Sequence, residues 1–128
     1  MTSSSGPDIS PDFTERQSAD FGPQRLAYSA QAGNADQTMP GVIFCGGFRS
    51  DMGGTKALAL AAWATACQHS FVRFDYFGHG CSTGAFTDGT VSHWRGDIPH
   101  ILDAVTQGPQ ILVGSSFGGW LSTLAALD

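Results

Sequence analysis

Gln110-Ile111-Leu112-Val113-Gly114-Ser115-Ser116-Phe117-Gly118 is the stretch that decides the fold. The apolar run before the first glycine reads as a strand buried on both faces. The small-residue stretch Gly119 to Ala126 reads as an amphipathic helix. Between them lies Gly-x-Ser-x-Gly, in which the serine occupies a sharp, strained strand-to-helix turn. Its glycines are needed because larger side chains would strike the neighbouring backbone. Ser116, at the centre of the motif, is the candidate nucleophile; Gly114 and Gly118 are the elbow glycines. A glycine-rich turn without chemistry is the alternative reading of the same residues.

Working back from this elbow, the pattern repeats. Phe71-Val72-Arg73-Phe74-Asp75 reads as a strand closed by a glycine-rich loop, and Val42-Ile43-Phe44-Cys45 as a strand closed by Gly46-Gly47. Thr55 to His69 is rich in alanine and leucine, a strong helix-forming composition. Trp94, Ile98, Ile101, Leu102 and Val105 share one helical face, with Asp97, His100 and Asp103 placed elsewhere on the wheel. Pro99 inside that helix predicts a kink or a late start. Arg25 to Ala30 alternates and reads as an edge strand. Residues 1–22, rich in Ser, Gly, Pro and Asp, read as a flexible leader, and 23–128 as the N-terminal part of one domain.

Alternation of strands and helices implies an α/β fold, a parallel sheet with helices on both faces. In such sheets ligands sit outside the carboxyl ends of the strands. Three loops meet there: those after Cys45, after Asp75, and the elbow. The Phe117 N–H, at the start of the last helix, is suited to hold developing negative charge. A second oxyanion donor is expected from Gly46-Gly47-Phe48, namely the Phe48 N–H, with a plain glycine turn as the alternative. Asp75 reads as structural. With strand order second-first-third, His79 lies two strand spacings from Ser116, about 10 Å, too far for a hydrogen-bonded base.

Other chemistries are disfavoured. The chain has 128 residues, a net charge of -5 and six Lys and Arg, so it offers no basic stripe for nucleic acid. Ala57 to Cys67 is too short to span a bilayer, so stable membrane insertion is not expected. Three cysteines without C-x-x-C spacing and scattered histidines give neither a disulfide framework nor a metal site. Gly53-Gly54-Thr55-Lys56 has the wrong order for a phosphate-binding loop, and no dinucleotide fingerprint follows the first buried strand. No cofactor is implied. The first twenty residues carry four acids against one Arg16, unlike a mitochondrial transit peptide, and predict a cytoplasmic protein.

The Gly-Gly-Phe loop, the Asp-x-x-Gly-x-Gly-x-Ser segment from Asp75 to Ser82, and the elbow together resemble the alpha/beta-hydrolase superfamily. The longer stretches Val42 to Phe48, Gly54 to Ala59, Val72 to Tyr76 and Gly108 to Ser116 are similar to its palmitoyl-protein thioesterase branch. The resemblance covers about Arg25 onward. It implies a serine hydrolase of ester or thioester bonds, acting on a small acyl ester, an acyl glucuronide or an acylated protein. It also implies an acid and a histidine beyond the elbow helix. Asp128 cannot replace them, lying roughly 18 Å along the helix from Ser116. The chain is therefore expected to be a truncated hydrolase fold with an incomplete triad. A non-catalytic remnant or interaction module is the alternative, and the strand ending at Val113 would then offer an unpaired edge for self-association.

Overall fold

The computed structural model describes residues 10–34 and 39–127. Strands β1 (Asp12–Ser18), β2 (Gly22–Gln31), β3 (Gly41–Cys45), β4 (Phe71–Phe74) and β5 (Gln110–Gly114) form one sheet in the order β1-β2-β4-β3-β5. Helices α1 (Thr55–Cys67), α2 (Val91–Val105) and α3 (Phe117–Ala126) connect or follow its parallel strands. The expected second-first-third strand order is what forms, β4-β3-β5, all parallel. β3 and β4 are buried throughout, whereas β5, read as buried on both faces, is at the sheet edge and only partly buried.

The sheet as a whole is mixed. β2 pairs antiparallel with both β1 and β4, so it is an interior strand rather than the expected edge. β1 lies within the stretch read as a flexible leader, and that reading is corrected for Asp12–Ser18. Residues 1–9 lie outside the described residues, as does Asp128. The sequence signal was weak because Asp-Phe-Thr-Glu-Arg-Gln-Ser carries one large apolar side chain. What holds the strand is pairing with β2 from Asp12↔Tyr28 to Ser18↔Gly22, and one ion pair. Arg16 Nη1 lies 2.5 Å from the fully buried carboxylate of Asp97 on α2 and donates to His93 O at 2.8 Å.

Side-chain alternation along β3 splits the core between two faces. Val42 and Phe44, with Phe71, pack against Ala57, Ala61 and Ala64, spaced along one side of α1. Ile43 and Cys45, with Leu26, Val72 and Phe74, pack against Trp94, Ile98 and Ile101 of α2 and Leu121 of α3. The small alanines let α1 approach the sheet closely, while the opposite face is filled by large side chains. α2 runs through Pro99 and starts at Val91, capped by Thr90 Oγ1 accepting from the His93 N–H at 3.1 Å, so no late start occurs. Asp97 sits on its buried face, against the wheel reading. Burial pushes its carboxyl up to about 6 despite Arg16 and the Phe77 N–H, which donates to Oδ2 at 2.9 Å.

Candidate active site at the carboxyl edge of the sheet

Ser116 caps α3 with φ 55° and ψ -117°. A non-glycine residue rarely adopts this conformation, at a cost of about 1–3 kcal/mol, and such strain persists only where the surroundings impose it. Here the imposition is steric. A Cβ on Gly118 would lie 2.0 Å from Cys45 O and 2.4 Å from Gly46 O. One on Gly114 would lie 2.4 Å from the Gly119 Cα. The start of α3 is thus pressed onto the end of β3, and the Ser115 N–H donates to Cys45 O at 3.2 Å. The turn leaves Ser116 exposed.

At the start of α3 the N–H groups of Gly118, Gly119 and Trp120 have acceptors in Ser115 O and Ser116 O. Among the described residues the Phe117 N–H has none, as expected of the first donor of a helix. The β3 loop lies beside it: a Cβ on Gly47 would be 3.7 Å from Ser115 O, and the rings of Phe48 and Phe117 meet edge to face at 5.4 Å. Phe48 and Phe117 are therefore brought together next to Ser116. A contact that the sequence does not announce joins them: Lys56 Nζ, on the first turn of α1, donates to Ser115 Oγ at 3.0 Å. The lysine considered for a phosphate loop thus ties α1 to the elbow.

Asp75 is structural. Its Oδ1 accepts the Met52 N–H at 2.7 Å and its Oδ2 the Cys81 N–H at 2.9 Å, which joins the β3 and β4 loops. Burial raises its carboxyl above the ordinary range. His79 makes no contact with Ser116; both its ring nitrogens are engaged with backbone, at Phe77 O and the Arg49 N–H. Among the described residues no imidazole or carboxylate is hydrogen-bonded to the Ser116 hydroxyl. Cys45, under the elbow, is fully buried and its thiol is pushed up to about 11 by desolvation, which removes it as a nucleophile.

Sequence reasoning also missed an aromatic surface at this edge. Phe48 touches Phe86 at 5.0 Å and Trp94 at 5.8 Å, and Phe117 reaches Trp94 at 5.6 Å and Trp120 at 6.2 Å. Phe48 and Trp120 are both 53% exposed. These residues come from four separate segments, so no local pattern links them. A cavity of about 770 Å³ lies elsewhere, between α2, α3 and β5, lined by Leu102, Thr106, Leu112, Ser122 and Ala125 among others. Ser116 is not among its lining residues. No group of three His, Cys, Asp or Glu among the described residues is placed to hold a metal ion, and no helix is long and apolar enough to cross a membrane.

No family model matches the chain. Mouse palmitoyl-protein thioesterase ABHD10, mitochondrial, is 48% identical over 102 residues, covering 80% of this chain and 33% of that protein. The solved structure of alpha/beta hydrolase domain-containing protein 10 from mouse superposes with a TM-score of 0.78 at 42% identity, over 91% of this chain and 44% of that one. The chain has the fold of the alpha/beta hydrolases. A second solved structure, from Agrobacterium vitis S4, gives a TM-score of 0.83 at 38% identity over 94% of this chain and 46% of its own. The resemblance read from the sequence is thereby established: the chain's homologues are palmitoyl-protein thioesterases and its structural neighbours alpha/beta hydrolases. It spans about a third of the length of the curated relatives it matches.

One expectation is overturned. The relatives of this hydrolase-fold chain are named mitochondrial, which contradicts the cytoplasmic reading. The cytoplasmic reading rested on the absence of an apolar export or membrane segment and on the charge of the first twenty residues, whereas the likeness extends over most of the chain.

Proposed function

We propose that the chain carries the nucleophile half of a serine hydrolase of ester or thioester bonds. Ser116 Oγ attacks the acyl carbonyl while a base takes its proton, and the Phe48 and Phe117 N–H groups hold the oxyanion. Collapse breaks the bond to the leaving group, which departs as alcohol or thiol with the proton returned by the base. Water, giving a proton to the same base, then attacks the acyl group and releases the acid as that proton goes back to Ser116 Oγ. The observation that carries this reading is the φ 55°, ψ -117° conformation of Ser116 at a strand-to-helix turn, strain that a merely structural turn has no need of. The exposed aromatic rings beside it suit an apolar acyl group, and the names of the relatives favour an acyl thioester on protein within mitochondria. Among the described residues no imidazole reaches Ser116, so the base that the attack needs is not assigned to any of them. A fluorophosphonate probe tests the reading. Labelling lost in Ser116→Ala supports it, and labelling that survives this substitution sinks it.

A second reading is favoured by the outer side of β5, which among the described residues pairs only with β3 and leaves Ile111 47% exposed. In this reading the chain is an interaction module that self-associates edge to edge. Sedimentation velocity distinguishes it: a dimer that Ile111→Lys converts to monomer supports association through β5, and a monomeric wild type removes it.

A further inference from the structure

The loop that carries Phe48 contains a second strained residue. Arg49 has φ 60° without being glycine or an amide-bearing residue that tolerates it. Something must hold it there. Its guanidinium lies 4.7 Å above the Phe86 ring, and its N–H donates to His79 Nε2 at 3.1 Å. His79 is 3% exposed and boxed edge to face by Tyr76, Phe86 and Trp94 at 5.2 to 5.5 Å. Its Nδ1 lies 2.9 Å from Phe77 O, a carbonyl that can only accept, so Nδ1 carries the proton and Nε2 is bare. The Phe77 carbonyl is itself fixed by the Trp94 indole N–H at 2.8 Å. On the other side of Phe48, the buried Tyr76 hydroxyl donates to Gly46 O at 3.1 Å. The β4 loop therefore grips the β3 loop on both sides of Phe48.

We propose that His79 is a positioning residue: by accepting the Arg49 N–H it fixes the preceding peptide so that the Phe48 N–H points at the oxyanion formed on Ser116. The inference rests on the reading of Ser116 as nucleophile, and it gives the imidazole a function that requires no contact with substrate. An oxyanion donor acts in the transition state and little in the ground state, so its misplacement lowers kcat and leaves KM nearly unchanged.

The test compares wild type, His79→Leu, His79→Gln and Ser116→Ala, within the polypeptide that hydrolyses p-nitrophenyl butyrate, and reads amide hydrogen exchange by NMR. In His79→Leu the Phe48 and Arg49 amides should exchange at least about 10-fold faster while Val72 in β4 is unchanged, and kcat should fall about 10- to 100-fold with KM within about twofold. His79→Gln, whose side-chain oxygen can accept the Arg49 N–H, should recover most of the rate. Equal losses in the Leu and Gln variants, a change confined to KM, or unaltered Arg49 exchange would each overturn the proposal. If His79→Leu does not fold, the 15N shifts of the wild-type ring decide: a proton on Nε2 contradicts the geometry, and a proton on Nδ1 upholds it. Unchanged turnover in Ser116→Ala would instead remove the nucleophile reading, while the exchange data would still report whether His79 holds the loop.

Discussion

Between Asp75 and Gly84 the loop after β4 is shaped by polar side chains, whereas the turn from Gly114 to Gly118 after β5 is shaped by their absence. In the first, Asp75 accepts two backbone N–H groups, Ser82 Oγ donates to Asp75 O at 2.7 Å, and Asp97 and Trp94 take opposite ends of the Phe77 peptide. In the second, two glycines allow a helix to be driven against the end of β3, and the serine between them absorbs the distortion. Hydrogen bonds hold a loop in a low-energy shape. Close packing can hold a residue in a high-energy one, which is what an exposed nucleophile on a strained turn requires.

That contrast can be broken at either loop. The largest effect is expected from Gly118→Val, because the new Cβ would fall 2.0 Å from Cys45 O with backbone on both sides; urea denaturation should show a loss above about 4 kcal/mol. Asp75→Ala leaves the Met52 and Cys81 N–H groups without acceptors and should cost about 3 kcal/mol by the same measurement, with the elbow spared. Asp97 acts through pH. Its folded pKa of about 6 exceeds the usual unfolded value near 4, so the native state binds the extra proton, and stability falls as pH rises from about 4 through about 6. Asp97→Asn should flatten that fall by up to about 3 kcal/mol in denaturation curves across the interval. The smallest effect has the opposite sign. Ser116→Gly relieves the positive φ and should stabilise the chain by about 1 kcal/mol while abolishing probe labelling; a loss of stability would show that the turn is unstrained.

The two loops were unequally legible in the sequence. The elbow is written in adjacent residues, since an apolar strand, a Gly-x-Ser-x-Gly and a small-residue helix occupy consecutive positions and each constrains the next. β3, α1, β4, β5 and α3 were found for the same reason: their signals, apolar runs and helix-forming composition bounded by glycines, are local. The polar loop could be recognised as glycine-rich, but its partners Met52, Arg49 and Asp97 lie up to several elements away, and nothing in the local pattern names them. β1 and Asp97 were misread together. Each is polar by itself, and it takes the ladder to β2 together with the pairing of Arg16 with Asp97 across 81 residues to make a charged segment an edge strand and a charged helix position core. Cytoplasmic location failed because leader charge speaks to import signals, not to the folded region that the relatives share.

Cys45 sits under the elbow, fully buried, whereas Cys67 and Cys81 are exposed. The chain therefore carries its own tally of whether the site is assembled. An intact elbow leaves two thiols open to a water-soluble alkylating reagent and a loosened one leaves three, so a single mass spectrum counts folded sites without any substrate.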